Sequence, residues 1–172
     1  MIDKIILASK SKVRKKILEE NGINCMVEPA NIDEDLVKES LLKEGATSGL
    51  ITKNLAELKA NKISQKKNGE IVLGADSVID LKGVIISKPS GREEALKILQ
   101  KLNGKKHHLI SSVCISKNGS MIWNCTDKAE LTMKQMSNNE LKSYLTKIKN
   151  EKTISIVCLG SATRGFCAGG EA

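Results

Sequence analysis

The stretch IVLGADSVID, residues 71–80, decides the fold, because an apolar run of this length between turn residues predicts a buried strand. Asn68-Gly69 precedes the run, and a hairpin loop is expected at Leu81-Lys82-Gly83. Asp76 lies in the middle, where an ionised carboxylate is costly unless it is paired or bound to a metal. A carboxylate that caps a neighbouring element at the end of the strand explains the residue equally well.

Strands and helices alternate on the N-terminal side of this run. We expect a strand at residues 5–8, a helix at 11–21, an extended acidic segment at 28–37 and a second helix from Thr47-Ser48. That second helix carries Lys59 on a mainly apolar surface, where the side chain can simply extend its charge to solvent.

The C-terminal side adds a helix that begins with a capping box of Ser90 and Glu93. Two strands at residues 107–116 and 121–133 flank Asn118-Gly119, which is typical of a hairpin. A last helix begins at Ser137, and its core-facing residues are predicted to be Leu141, Tyr144, Leu145 and Ile148. Hairpins mixed with strand–helix units predict an α/β fold with a mixed sheet.

Composition excludes several classes of protein. The 172 residues fit one domain with room for two small lobes, and 40% of them are hydrophobic. The net charge is +8, yet Arg14, Arg92 and Arg164 are the only arginines, and aromatic residues make up 2%. Nucleic-acid recognition relies on arginine and on aromatic stacking, so a solvated lysine surface is favoured over a nucleic-acid site.

The five cysteines, at positions 25, 114, 125, 158 and 167, have no metal-ligand spacing. An odd number of cysteines without a signal peptide predicts free thiols in a reducing cytoplasm. No apolar run approaches the roughly 20 residues of a membrane span. We therefore expect a cytoplasmic protein that does not bind a membrane.

The segment LASKSKVRKKIL, residues 7–18, is a candidate anion-binding turn. A strand end followed by a helix start presents free backbone N–H groups, to which Ser9, Ser11 and Arg14 add donors. A helix capped by Ser11 with its cations in solvent explains the segment equally well. No glycine-rich phosphate loop accompanies it.

Two further motifs carry charge. Ile32-Asp33-Glu34-Asp35 is an acidic cluster that suits a helix N-terminus better than a metal site, and Ser87-Lys88-Pro89 places Lys88 at a strand end. Taken together, the Ser, Arg and Lys donors and the carboxylates suit hydrolysis of a phosphoanhydride. In that chemistry Mg²⁺ or Mn²⁺ bridges carboxylate and phosphate oxygens, and cations stabilise the developing charge.

These motifs resemble, in order, those of the Maf family of nucleotide pyrophosphatases. The resemblance begins at LASKSKVRKKIL and continues through IDED, LAELKA, GADSV, SKP and EEALKILQKLNGKKHHLISSV, covering about residues 5–145. It implies hydrolysis of nucleoside triphosphates, such as dTTP, UTP or 7-methyl-GTP, to the monophosphate and pyrophosphate. It also implies an elongated, curved mixed sheet flanked by helices, a cleft between two lobes, and often a homodimer.

Roles follow from the matched motifs. The resemblance implies that Asp76 is the proton acceptor for the attacking water and that Asp76 and Glu34 hold Mg²⁺ or Mn²⁺. It implies that Ser9, Arg14, Lys59 and Lys88 bind the substrate phosphates.

The sequence departs from the family at several positions. Ser77 replaces the usual Thr, and Ser111-Ser112 replaces the usual Thr-Gly, while His107 matches a frequent family histidine that a structural role explains as well. No lysine follows Lys152, and the usual glycine-rich ending is not recognisable after Lys149. We predict a Maf-like domain at residues 1–150 and an atypical tail at 151–172. A catalytically impaired nucleotide-binding relative is the alternative function.

Overall fold

The strand predicted around Asp76 is the centre of a mixed sheet. The structure, a computed structural model, describes residues 5–150, with side chains for residues 5–147. The tail predicted at 151–172 lies outside the described residues. The elements are β1 (Ile5–Leu7), α1 (Lys12–Glu20), β2 (Cys25–Val27), α2 (Glu34–Lys43), α3 (Ser48–Ser64), β3 (Val72–Leu81), β4 (Val84–Ile86), α4 (Arg92–Leu102), β5 (Lys106–Lys117), β6 (Ser120–Thr132) and α5 (Asn138–Asn150).

The sheet has the strand order β2-β1-β3-β5-β6, with β4 pairing beside β3. β1 runs parallel to β2 and to β3, whereas β3 is antiparallel to β5 and β5 to β6. Parallel and antiparallel pairs therefore coexist, and the predicted mixed α/β fold with helices around an open sheet is confirmed. With 10 to 13 residues each, β3, β5 and β6 make the sheet long in the strand direction.

One edge of β3 is interrupted. β5 pairs with β3 from Val72 to Asp80, so β1 and β4 must share the opposite edge. There β1 reaches only as far as Leu73, and β4 ends with Ile86 opposite Ile79. In the described part of the chain, residues 74–78 therefore have no strand partner on this edge. β1 is parallel and β4 antiparallel to β3, so both strands end at this gap.

Two hydrophobic clusters lie at opposite ends of β3, as expected for two lobes. The first contains Val72 and the second contains Leu81, the two end residues of the strand. The first also contains Ile6, Ala8, Ala30, Ala56, Ala60, Ile63 and Cys114, and the second Leu102, Met133 and Leu141. The middle of β3, with Asp76, lies between them.

Helix α3 packs unusually close to β3 because Gly74 has no side chain. A Cβ atom at position 74 would lie 2.7 Å from the backbone nitrogen of Ala60 and closer still to the carbonyl oxygen of Ala56. Thr47 caps the helix by accepting a hydrogen bond from the backbone N–H of Leu50. The contact fixes α3 against the strand at Ala56 and Ala60, the second of which directly follows Lys59.

Several local predictions need correction. The segment predicted to be extended to residue 37 enters α2 at Glu34, and β2 was not predicted. Ser90 donates to Glu94 rather than to Glu93, and Gly91 is the N-cap of α4. Tyr144 is half exposed, because α5 is covered only along the side that buries Leu141.

Two further predictions concern α5. Ser137 and Glu140 form the predicted capping box. Ile148, predicted to face the core, lies outside the described side chains.

No helix in the described residues is both long and apolar enough to cross a membrane.

Asp80 connects α3 to the β3–β4 turn. Its carboxylate accepts hydrogen bonds from the Ser48 hydroxyl, in the first turn of α3, and from the backbone N–H of Gly83 at 3.0 Å. Burial acts to raise the pKa of the Asp80 carboxyl, but these two hydrogen bonds outweigh it and hold the pKa below its usual value.

Gly74→Ala should destabilise the protein by about 3 kcal/mol, because backbone atoms of α3 cannot move aside as a flexible side chain would. Gly49→Ala is the matched control, since it lies in α3 with open space around it and should be neutral or stabilising by up to about 1 kcal/mol. Urea unfolding of both variants measures the difference. Equal stabilities of the two variants would contradict the close packing.

Asp80→Asn should lower the free energy of unfolding by about 1 to 2 kcal/mol at pH 7, since the charge-assisted hydrogen bonds are lost. The folded-state pKa of Asp80 is depressed, so this stabilisation is present above the unfolded pKa and is lost as pH falls through the folded one. The difference between wild type and variant should therefore shrink as denaturation is measured from pH 7 down to the acid limit of folding. A difference that grows on acidification would refute the assignment.

Candidate active site

A cavity of about 430 Å³ opens over the gap in the edge of β3. Its walls come from the turn after β1, the loop before α2 and its first turns, the middle of β3, and the residues that follow β4. The cavity brings together every residue predicted to act in the site: Ser9, Arg14, Glu34, Lys59, Asp76 and Lys88. Residues far apart in sequence therefore converge because β1 and β4 both end here.

Lys59 lies between two carboxylates at the floor of the cavity. Its ammonium is 2.7 Å from Asp76 Oδ1 and 2.8 Å from Glu34 Oε1. Lys59 and Asp76 are buried, while Glu34 remains partly exposed. Lys59 therefore does not extend to solvent, and Asp76 is not an end cap; it is a charged residue in mid-strand with a buried cation as its partner.

The second oxygen of Asp76 has no partner. Oδ2 is buried and accepts no hydrogen bond from the described residues. Burial raises the pKa of the Asp76 carboxyl, and the charge and hydrogen bond of Lys59 offset this only in part. For Glu34 the balance is reversed: burial acts to raise its pKa, but the hydrogen bond and charge of Lys59, with Lys38 and Lys88, lower it.

Arg14 continues the interrupted edge of β3 with its guanidinium. Nη1 donates to the carbonyl oxygen of Ala75 at 2.7 Å and to Ser9 Oγ at 3.1 Å, and Nη2 lies 3.4 Å from Ser77 Oγ. The preceding carbonyl on this edge, that of Leu73, accepts from the backbone N–H of Ala8 in the normal β1–β3 ladder. Burial lowers the pKa of Arg14, against the opposing charges of Asp76 and Glu34.

The structure confirms the helix cap in the segment LASKSKVRKKIL, and anion binding by this segment stays a prediction. Ser11 is the N-cap of α1 and accepts from the backbone N–H of Arg14, as the structural explanation requires. Yet Ser9 and Arg14 point into the cavity rather than to solvent. Lys10 also lines the cavity, although sequence reasoning placed it with the surface charge.

Sequence reasoning missed Lys38. It lies in the cavity wall on α2, 3.6 Å from Asp35 Oδ1 and 4.0 Å from Glu34 Oε2. Its spacing of four residues from Glu34 would have indicated the pairing only if α2 had been predicted. Asp33 caps α2 through the backbone N–H of Leu36, so the acidic cluster is a helix N-terminus, as expected.

The positions that depart from the Maf motifs lie on the central strands. Ser111 Oγ is 3.0 Å from Ser77 Oγ, and Ser112 Oγ is 2.8 Å from the hydroxyl of Thr126. His107 is buried with Nδ1 3.3 Å from the carbonyl oxygen of Lys105, and it does not line the cavity. The structural role considered for this histidine is the one that its position favours.

The donors in the cavity fit a hard divalent cation. Asp76 offers a buried oxygen without a partner. Glu34 pairs with the same lysine as Asp76, Lys59, so the two carboxylates face one region. No group of three or more metal-binding side chains occurs among the described residues. Mg²⁺ needs no such group, since it binds through one or two carboxylates together with water and substrate phosphates.

Comparison with known proteins identifies the family. The sequence model of the family described as Maf-like protein matches residues 4–163. The chain belongs to the Maf family. The family resemblance seen in the motifs is thereby confirmed over a longer part of the chain.

Named Maf-family relatives are similar over most of the chain. The nucleoside triphosphate pyrophosphatase of Pelagibacter ubique (strain HTCC1062) is 71% identical over 151 residues, which is 88% of this chain and 77% of that protein. The 7-methyl-GTP pyrophosphatase of Brucella abortus biovar 1 (strain 9-941) is 35% identical, covering 86% and 74% respectively. Among solved structures, a HAM1 protein from Coxiella burnetii aligns with a TM-score of 0.46 and 13% identity, covering 86% of this chain and 99% of that one.

Lys59→Met should destabilise the protein by about 3 to 5 kcal/mol, because the buried Asp76 carboxylate loses its counter-charge. The double variant Lys59→Met/Asp76→Asn should recover a large part of that loss, since no uncompensated charge then remains. Lys53→Met, on the same helix but outside the cluster, serves as the control and should stay close to wild type. Denaturant unfolding of wild type, Lys59→Met, Asp76→Asn and the double variant gives the coupling, and strictly additive losses would contradict the pairing.

Proposed function

We propose that this Maf-family protein hydrolyses nucleoside triphosphates to nucleoside monophosphates and pyrophosphate in the cavity over the gap of β3. One observation carries the proposal: Asp76, with a free buried oxygen, lies beside cations that converge from three separate motifs. The names of the relatives supply the same class of reaction, that of a hydrolase acting on nucleotides.

Ser9, Arg14, Lys59 and Lys88 are proposed to bind the phosphates. Ser9 lies in the turn after β1, Arg14 in the first turn of α1, Lys59 on α3 and Lys88 after β4, so that the donors surround the cavity from several sides. Fixed cations of this kind stabilise the negative charge that moves to the leaving pyrophosphate. Arg14 is already held by Ala75 and Ser9, so its orientation costs little to fix on binding.

Asp76 is proposed to act as the general base. The oxygen of a water molecule attacks the α-phosphorus, the bond to the bridging oxygen of the pyrophosphate breaks, and the proton of the water passes to Asp76 Oδ2. Lys59 holds the other oxygen, Oδ1, which leaves the two lone pairs of Oδ2 for the proton and for a metal ion. A Mg²⁺ or Mn²⁺ ion held by Asp76 and Glu34 would lower the pKa of bound water and neutralise phosphate charge.

The candidate substrates are those that the resemblance implies, namely dTTP, UTP and 7-methyl-GTP. The name of the Brucella relative contains 7-methyl-GTP. A cytoplasmic location and a homodimer stay predictions, as do the absence of nucleic-acid and membrane partners.

Asp76→Asn should lower kcat for pyrophosphate release by about 10² to 10⁴, because the side chain keeps its shape but cannot take a proton. The assay measures pyrophosphate from a panel of nucleoside triphosphates with Mg²⁺ or Mn²⁺, and with a chelator in place of the metal. Activity should be lost with the chelator. Asp127→Asn, on the exposed strand β6, is the matched control and should leave kcat unchanged.

Three outcomes of this assay bear on the alternatives. Equal release by wild type and Asp76→Asn would remove the role given to Asp76. Nucleotide binding without any release would favour the catalytically impaired relative. Full activity with the chelator would remove the metal while leaving the hydrolase assignment intact.

A further inference from the structure

The cavity has two chemically different ends. The end near the first hydrophobic cluster carries the ionic residues around Lys59. The end near the second cluster is walled by aliphatic side chains, all of them only partly buried: Ile79, Ile85, Ile86, Ile98 and Leu109. We call these five residues the aliphatic wall. The phosphate-binding groups proposed above account for the first end. At the second end Ile79, Ile86 and Ile98 pack against the second cluster and also line the cavity.

The wall lies at a suitable distance from the ionic end. Ile79 is three residues after Asp76 on the extended strand β3, which is about 10 Å along the strand. An odd separation places the two side chains on opposite faces of the sheet, so a ligand reaches both across the open edge of β3, where both residues line the cavity. This is comparable to the separation between the α-phosphate and the base within one nucleotide. Leu109 pairs with Ile79 across β5, and Ile86 pairs with Ile79 from β4, so the wall is built on paired strands.

No aromatic side chain lines the described cavity. The chain has one Trp, one Tyr and one Phe. Trp123 and Tyr144 are half exposed and are not among the lining residues, and Phe166 lies outside the described residues. A base on this surface would therefore contact aliphatic carbons and not a π face.

We propose that the aliphatic wall binds the nucleobase and selects an uncharged base over a cationic one such as 7-methylguanine. The inference rests on the proposed function for the position of the phosphates. A cationic ring is bound well by aromatic faces or by free carboxylates. Here its charge would be desolvated against isoleucine and leucine, which is unfavourable.

The other charges in the cavity act in the same direction. Its lining includes Lys10, Arg14, Lys38, Lys59 and Lys88, against the carboxylates Glu34 and Asp76. Lys59 already engages both carboxylates. Both carboxylates lie at the ionic end, so a positive base on the aliphatic wall has no counter-charge beside it and is repelled by the excess of lysines. Thymine, uracil and unmodified guanine carry no charge and are not repelled.

Calorimetric titration tests the position of the base independently of turnover. Wild type, Ile98→Ala and Leu96→Ala are titrated with UTP, dTTP and inorganic tripolyphosphate in the presence of Mg²⁺. Ile98→Ala should weaken nucleotide binding about tenfold and leave tripolyphosphate binding unchanged, because tripolyphosphate has no base. Leu96→Ala is the control, since Leu96 packs on the second cluster from the same helix without lining the cavity.

Loss of both ligands in parallel, or of neither, would overturn the subsite, whether or not the protein releases pyrophosphate. Failure of the proposed function is a separate result, namely nucleotide binding without turnover. The charge selection is tested with GTP against 7-methyl-GTP on wild type: at least threefold weaker binding of 7-methyl-GTP supports it, and equal or tighter binding overturns it. Ile98→Trp should reduce this discrimination by supplying a π face, and unchanged discrimination would count against the charge argument.

Discussion

The site depends on a buried ion pair between Lys59 and Asp76, 2.7 Å apart. An aspartate in the middle of a strand covered by a helix would lose its hydration on folding, and the loss is tolerable only with a cation beside it. Lys59 supplies that cation because α3 approaches β3 closely, and the approach is possible because position 74 is glycine. Within the motif GADSV, Gly74 therefore allows α3 to approach the strand, and Asp76 carries the charge that Lys59 of α3 neutralises.

The interruption in the edge of β3 determines where the cavity forms. A continuous partner strand along residues 74–78 would satisfy the backbone and close the region above Asp76. Instead β1 and β4 approach from opposite directions and stop short of one another. Arg14 satisfies the Ala75 carbonyl in place of a strand. The same side chain therefore completes the backbone hydrogen bonding and places positive charge where phosphates are proposed to bind.

Sequence reasoning predicted the elements that local signals specify. The apolar run of β3, the turn at Asn118-Gly119, the start of α3 near Thr47 and the capping box at Ser137 depend on neighbours in the chain. It failed for β2, whose three residues are only partly covered, and for α2, which buries no residue and so lacks a strong helical pattern. Lys38 was missed for the same reason.

The chemistry of the site could be predicted from the residue types, but the contacts between its residues could not. The residue types indicated phosphates and a metal, and the order of the motifs indicated the family, which the comparison confirmed. The triad of Glu34, Lys59 and Asp76 was not predictable, because each residue has a satisfactory local explanation. Their meeting depends on the packing of α3 against β3 and of α2 against α3. Lys59 and Asp76 are 17 positions apart in the sequence.

The two ends of the cavity separate affinity from selectivity. Cations at one end attract any triphosphate, because phosphate oxygens are common to all nucleotides. Selectivity must then arise at the other end, where the aliphatic wall offers area and shape but neither hydrogen-bond donors nor π faces from its side chains. Such a surface distinguishes bases weakly by size and more strongly by charge, since a small change in apolar contact is worth less than the desolvation of a cation. The arrangement therefore suits an enzyme that accepts several uncharged bases, with the triphosphate as the shared feature that it recognises.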